Sequence, residues 1–341
     1  MRVHPDAIRC HASVGVLGLG ETFRLYRPTL TRWFDLGFVT DNDPAAASRA
    51  GDHRFRCVAD LGRLDDPFVI VATTSWSYPH VDAQLTDLGV AHCAVGDVEG
   101  LNAANFPEVD LSLLAARGGC YRDHLGNIVE LGRVDVVGPA FVRFGRRALG
   151  GAFGRLATGC HVRIGDGTQL ATNAAIHLVG RNAKATIGEA NWIAELTTHI
   201  GPDASLAIGD RCTFESVRAD ADQGTITIGD DCMFSNDIQL MQTDSHPIFD
   251  LATGRRLNHA RHLSIGDHVW VGRGVTLLGG ARIGADSIVG TRAVTSQDFA
   301  DRPHVAIAGS PARVVRDGVT WRKDELAAGY PIDSVADCLR Y

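Results

Sequence analysis

The chain has 341 residues, room for about two domains at ~150 residues each. Its 45% hydrophobic and 21% charged content is that of a globular protein that buries its own core, which sets aside disorder, collagen and coiled coil. With 33 Lys and Arg against 40 Asp and Glu, a net charge of -7, the surface does not favour polyanions, and nucleic acid is not expected as a partner.

The N-terminal segment MRVHPDAIRC is followed by no secretory apolar region. No apolar run approaches the ~18 residues of a membrane span, and none of the eight cysteines forms a CxxC pair. A cytoplasmic location with reduced thiols is therefore expected. Val14 to Gly18 reads as a short strand before a glycine turn, and Thr22 to Phe34 as a helix that Pro28 breaks or starts. Gly37 to Thr40 is a second strand, closed by the turn Asp41-Asn42-Asp43-Pro44. Phe68 to Ala72 is a third, and its continuous apolar run implies burial on both faces. Val81 to Leu88 is amphipathic, with Gly89 as its stop; Val90 to Val95 is a further strand. The alternation predicts a small α/β domain with a parallel sheet over residues 1–130. Gly15, Gly18 and Gly20, with Asp41 after the second strand, suggest a dinucleotide-binding turn, although the order is GxxGxG rather than GxGxxG. A nucleotide-holding role and a purely structural or partner-docking role both stay open. Residues 131–160 read as a connecting segment; within the less readable stretch 105–160, Gly118-Gly119 and Gly150-Gly151 read as turns.

From residue 161 the helical period disappears and a period of six takes over. Ile265, Val271, Leu277, Ile283 and Val289 fall at six-residue steps, as do Ile228, Phe234 and Leu240, and Ile164, Leu170 and Ile176. Ile187 with Ile193 and Ile208 with Phe214 keep the step, and Ile-Gly-Asp recurs at 164, 208, 228 and 265. Each hexad is one short strand plus a tight turn: the aliphatic residue points into a prism, and glycine or aspartate serves the turn through positive φ or a side-chain cap. A small residue sits four after the apolar one, at Thr168, Cys212, Cys232, Val269, Val275 and Ser287. Cys212 and Cys232 are thus small interior residues rather than nucleophiles. Three hexads close one coil, and stacked coils make a parallel β-helix, expected over 161–316 with a tail at 317–341.

The period breaks at length between Leu240 and Ile265. A solenoid accommodates such an insertion as a corner loop, here 241–264, and corner loops are where binding and catalysis gather. Within it Asp244, Ser245 and His246 bring together a carboxylate, a hydroxyl and an imidazole. His246 is poised to move a proton near neutral pH, and Asp244 is placed to orient or charge-stabilise it. Arg255 and Arg256 suit an anionic acceptor or, equally, an exposed basic pair. Ser245 and Asn258 complete the candidate acceptor-binding set. His177, His199, His259, His262 and His268 are weaker candidates for touching the acceptor.

These hexads resemble the left-handed β-helix acyltransferase superfamily. Residues 265–316, IGDHVWVGRGVTLLGGARIGADSIVGTRAVTSQD…AIAGSPARVVR, are similar to the C-terminal signature of its galactoside, maltose and capsular O-acetyltransferase branch. TDSHPIFDLATGRRLN, 243–258, resembles that branch's catalytic-histidine loop. The left-handed sense comes from the resemblance alone. So do the following roles: His246 as general base and Asp244 as its support; Trp270, Gly272, Gly290 and Thr291 along the pantetheine arm of acetyl-CoA; Ala308, Gly309, Pro311 and Arg313 against its nucleotide end, with Arg316 and Lys323 near its phosphates. Ser310 stands where the family has Asn. The resemblance further implies a homotrimer with the active site between neighbouring prisms, and direct transfer without an acyl-enzyme.

The expected activity is acetyl-CoA-dependent O-acetylation of a bacterial surface glycan or its sugar precursor. N-acetylation of a nucleotide-linked amino sugar is the alternative, favoured by the N-terminal domain. A scaffold without turnover is opposed by His246 and the GSPAR segment. A zinc enzyme is opposed by the histidine spacing, so no metal is expected.

Overall fold

The apolar runs of the first hundred residues pair in parallel. In this computed structural model, which describes residues 2–73, 77–146 and 155–323, strands β1 (Ser13–Leu17), β2 (Leu36–Asp41), β3 (Phe55–Cys57), β4 (Pro67–Val71) and β5 (Ala91–Ala94) form one sheet in the order β3-β2-β1-β4-β5. The order reverses between β1 and β4, as in doubly wound α/β sheets. Helix Glu21–Trp33 runs straight through Pro28, which neither breaks nor starts it. Packing of Phe23, Tyr26 and Leu30 into the sheet core outweighs the one hydrogen bond the proline forgoes. Helix Tyr78–Asp87 ends where expected, with Gly89 at φ 69°. Of the strands of this sheet, the sequence reading missed the short β3; it also named none of the short helices Pro5–Arg9, Leu101–Asn105 and Leu111–Ala116.

The β-helix has three faces, here A, B and C. Face A stacks His161–Ile164, Lys184–Ile187, Ser205–Ile208, Thr225–Ile228, Leu263–Ile265, Arg282–Ile283 and Asp298–Phe299 in parallel register. Faces B and C are joined because Gln169–Leu178, Trp192–Ile200 and Thr213–Ala221 bend through the corner between them. The chain is therefore an α/β N-terminal unit followed by a parallel β-helix. The ladder already runs before residue 161. Ile128–Leu131 pairs with His161–Ile164, and Ala140–Phe144 pairs with Ala174–Leu178. The residues expected as the end of the α/β domain and a connecting segment therefore supply the first coil. Gly118 and Gly119 do take positive φ; Gly150 and Gly151 lie outside the described residues, as does the tail beyond 323. Antiparallel strands close both ends: Glu108–Asp110 and Cys120–Arg122 at the start, Ala312–Asp317 at the finish.

Every apolar residue of the six-step series is buried, and so are the small residues four beyond them. Phe214 and Phe234 stack in successive coils with ring centroids 4.7 Å apart. The small interior residues form a second ladder. Thr168 Oγ1 donates to the Gly188 carbonyl, Asn191 Nδ2 to Gly209, Cys212 Sγ to Gly229 and Cys232 Sγ to Gly266. The neighbouring Cys212 thiol and burial push the Cys232 thiol up, which fits interior packing and not nucleophilic chemistry.

The role of the turn glycines differs from the expectation. Positive φ falls two residues later, at Ala190, Arg211, Asp231, His268 and Asp286. The glycine is required by stacking. A Cβ at Gly188 would lie 2.2 Å from Asp210 Oδ1, and one at Gly209 2.2 Å from Asp230 Oδ1. Those carboxylates cap the coil before them: Asp210 Oδ1 accepts from Glu189 N and Asp230 Oδ1 from Asp210 N. Ile-Gly-Asp is thus one device, in which each aspartate occupies the space that the preceding glycine leaves open.

Candidate active site

The insertion leaves the prism at the corner between faces C and A, after Ile238–Met241. Its base is fixed by Thr243 Oγ1, which donates to Asp222 Oδ2 and accepts from Ser245 N. Ser245 takes φ 60°, a left-handed residue that turns the chain outward. The next residue, His246, is exposed, and its backbone is held on both sides: its N–H donates to the Asp244 carbonyl and its carbonyl accepts from Asn258 Nδ2. Asn258 also donates to Asp244 Oδ2, at 2.9 Å, and accepts from Ile248 N. Asn258 therefore ties the two limbs of the loop together across Asp244 and His246. The carboxylate of Asp244 is engaged by Asn258, not by the imidazole; its place is beside the histidine's backbone.

Arg255 is exposed at the outer turn, whereas Arg256 is half-buried and turns inward. Arg256 lines a cleft of about 420 Å³ with Ser245, Thr243, Asp222, His199 and the arginines Arg146 and Arg155. The sequence reading did not single out Arg146, Arg155 or Asp222. Of the weaker histidine candidates, His199 reaches the cleft, while His262 accepts from Thr225 N and His268 is paired with Asp286.

A second set of residues lies on the corner between faces B and C. Val271, Val289 and Ile307 are in register, so Gly272, Gly290 and Ala308, which follow them, form a column parallel to the prism axis. A Cβ at Gly272 would meet Thr291 N at 2.9 Å, and one at Gly290 would meet Ala308 Cβ at 3.2 Å. The column is a track with no side chain at Gly272 and Gly290 and only a methyl at Ala308. Trp270 is 39% exposed at its edge. Beside it Trp321, missed in the sequence, stacks on His268 with centroids 4.5 Å apart and donates to the His268 carbonyl. Gly309, Pro311, Arg313 and Arg316 belong to the closing hairpin at the end of the track, all exposed. Lys323 Nζ instead bonds the Arg211 carbonyl.

The two sets do not meet within one chain. The track and the His246 loop lie at opposite edges of face C, separated by the strand Ile238–Met241, about 13 Å at ~3.3 Å per residue.

Face C carries an outward ladder of polar residues between them: Arg143, His177, His199 and Asp220 in register. The His177 and His199 rings stack at 4.9 Å. Burial, then the nearby His199 and Arg143, lower His177 to about 4. Glu108 opposes that shift, and Arg218 adds to it. An unfolded histidine titrates near ~6.5, so between those values the unfolded chain holds more protons than the folded one. Stability is then fully present above about pH 6.5 and falls as pH drops towards about 4. Urea unfolding across that window should show this slope, and His177→Asn should flatten it. An equal slope in parent and variant would assign the dependence elsewhere.

Among the described residues no group of three or more His, Cys, Asp or Glu could hold a metal ion, and no helix is long and apolar enough to cross a membrane.

No family model matches the chain. It is 36% identical over 120 residues to a polysialic acid O-acetyltransferase of Neisseria meningitidis, covering 35% of this chain and 55% of that protein. Its identity to a polysialic acid O-acetyltransferase of Escherichia coli O1:K1 is 34% over 128 residues, covering 36% and 40%. To galactoside O-acetyltransferase of Escherichia coli K12 it is 29% over 133 residues, covering 39% and 64%. The chain thus spans about half the length of the curated relatives it matches. A solved polysialic acid O-acetyltransferase aligns at 28% identity and TM-score 0.47, over 61% of this chain and 96% of that one.

Proposed function

We propose, from the premise that the coil array is that of the left-handed β-helix acyltransferase superfamily, that the chain transfers an acetyl group from acetyl-CoA to a hydroxyl of a bacterial surface glycan, of capsule, lipopolysaccharide or sialic-acid type, or of its sugar precursor. The observation that carries this reading is His246: exposed at the mouth of a loop whose two limbs are locked by Asn258, beside a polar cleft. The acceptor hydroxyl attacks the thioester carbonyl as His246 takes its proton, and the carbon–sulfur bond breaks. A thioester carries its own leaving group, so positioning, deprotonation and stabilisation of developing charge suffice, and no acyl-enzyme is required. The track of Gly272, Gly290 and Ala308, which presents no side chain larger than a methyl, accepts an extended pantetheine arm. Trp270 and Thr291 flank that arm. Ala308, Gly309, Pro311, Arg313 and Arg316 hold the nucleotide end.

The working unit in this reading is a homotrimer. The base of one copy meets the donor track of the next, which explains why both lie on opposite edges of one face. The loop also exposes Ile248, Phe249, Leu251 and Leu257, apolar surface that a neighbouring prism would cover. Light scattering should give three times the 36.5 kDa of the chain; a monomeric mass at working concentration overturns the shared site. With acetyl-CoA made inside cells, the reaction belongs to the cytoplasm.

A second reading, N-acetylation of a nucleotide-linked amino sugar, is favoured by the switch in strand order between β1 and β4, a place where nucleotides bind in such sheets. Against it, Asp41 Oδ2 already accepts from Leu19 N in the glycine turn. The two separate in one experiment: acetyl transfer to capsular oligosaccharides and nucleotide-linked amino sugars, read by mass, followed by mild base. A base-labile product is the ester expected here; a base-stable one is an amide and promotes the second reading.

A further inference from the structure

Beyond the closing hairpin the chain stays on the prism. Strand Ala312–Asp317 runs antiparallel to Val305–Gly309 and brings Asp317 back opposite Val305, at the corner between faces A and B. Residues 318–323 then descend that corner as a strap. Arg211, Asp231, His268, Asp286 and His304 stand there one per coil, each at positive φ. Coil-to-coil bonding at this corner uses the carbonyl before such a residue: Asp230 accepts from His268 N, and Ala285 from His304 N. The strap takes the carbonyls of alternate corner residues themselves. His304 accepts from Val319 N, His268 from Trp321 Nε1 and Arg211 from Lys323 Nζ.

Trp321 is the buried member of the strap, 6% exposed between the exposed Thr320 and Arg322. Its indole lies flat on the His268 ring, with planes 11° apart. That imidazole is fixed in turn, because its Nδ1 pairs with Asp286 Oδ1 at 2.9 Å. Trp321 also touches Trp270, with 6.2 Å between ring centroids and 41° between planes, a tilted aromatic contact.

Trp270 stands in the outward row of face B between Met233 and Ile288, its register partners in the coils on either side. Those two limit its ring along the prism axis. Across the axis the two sides differ. Gly272, two residues on, presents no side chain, whereas Trp321 fills the opposite side, over His268 two residues back. An indole bounded in this way has one open direction, the track. Without the wall formed by Trp321 it would gain side-chain rotamers, and ordering them again when the donor binds would cost affinity.

Resting on the acetyltransferase reading above, we infer that Trp321 is a positioning residue for the donor. It keeps the Trp270 indole turned to the track, so that the arm of acetyl-CoA meets an ordered ring. It acts through Trp270 and does not itself touch the donor.

The test is calorimetry with coenzyme A on the full chain, well below the thermal midpoints, as a double-mutant cycle. Trp321→Leu keeps an apolar side chain in the buried place but no flat face, and should weaken coenzyme A binding roughly 3–10-fold. Trp321→Phe keeps a ring and should recover part of that loss. Trp270→Ala should weaken binding at least as much as Trp321→Leu. The two changes together should be no worse than Trp270→Ala alone, because Trp321 has nothing to position once the other indole is gone. Additive losses overturn the role in favour of direct contact between Trp321 and the donor. Binding by Trp321→Leu equal to the parent's, with a lowered thermal midpoint, overturns it in favour of a strap that only stabilises the coils. Equal binding with an unchanged midpoint overturns it outright. Should Trp321→Leu fail to fold, Trp321→Phe takes its place in the cycle, and its loss must likewise vanish in the Trp270→Ala background. A parent chain that binds no coenzyme A removes the acetyltransferase and this role together, whereas tight binding indifferent to Trp321 keeps the acetyltransferase and removes the role alone.

Discussion

His246→Ala should lower kcat by ~10²–10⁴-fold, the usual contribution of a general base, while KM for acetyl-CoA and the thermal midpoint stay close to those of the parent. The division follows from how the residue is held. Its side chain is exposed, and the loop is organised by bonds to its backbone N–H and carbonyl, which alanine keeps. In the proposed trimer the imidazole meets the donor only at its reacting end, and the other proposed donor contacts come from the track and the closing hairpin, so binding of the donor is little disturbed. Asn258→Ala makes the contrast. It removes the bonds to Asp244 Oδ2 and to the His246 carbonyl together, so the imidazole survives on a loosened loop. Steady-state kinetics on both variants separate a missing base from a misplaced one. Turnover by His246→Ala equal to the parent's would falsify the catalytic assignment whichever acceptor is used.

Gly209→Ala should cost about 3 kcal/mol of stability, at the upper end for overpacking. Its Cβ would sit 2.2 Å from Asp230 Oδ1, 2.7 Å from the Gly229 carbonyl carbon and 2.8 Å from its oxygen. The carboxylate can rotate away, giving up its bond to Asp210 N; the backbone of the next coil cannot move without shifting every coil beyond it. Adding Asp230→Ala should therefore fail to rescue Gly209→Ala. Gly96→Ala, with nothing within 4 Å of the added carbon, should be nearly neutral. Urea unfolding followed by far-ultraviolet circular dichroism checks all three; rescue by Asp230→Ala would mean that the backbone contact is unimportant.

The coil array was readable because its period is enforced residue by residue. Each aliphatic side chain must enter the same prism, so Ile265, Val271 and Leu277 announce their burial by spacing alone. The glycine of Ile-Gly-Asp was also visible, but its reason was not, since the clash that excludes a side chain comes from the following coil. The start of the ladder was hidden for a related reason. Ile128–Leu131 and Ala140–Phe144 lack the glycine-aspartate punctuation, and only their pairing with later strands identifies them. The loop that carries His246 was legible as a break in period, but its internal bonding was not: Asn258, fourteen positions from Asp244, engages the carboxylate that was expected to support the imidazole. Arg146 and Arg155 could not have been found at all: an isolated bridge between two irregular stretches has no periodic signature.

The antiparallel strands at the ends of the array have a consequence for how such a protein can change. Each coil touches only its neighbours, and the antiparallel strands pair only with the terminal coils, whatever number of coils lies between. Length is thus a free variable. Duplicating the coil between Ile187 and Ile208 would add one strand spacing, about 4.8 Å, and carry the N-terminal sheet that much further from the His246 loop without altering the loop itself. The prism behaves as a ruler whose graduations can be added one at a time, so the reach between the first domain and the chemistry is adjustable while the chemistry stays fixed.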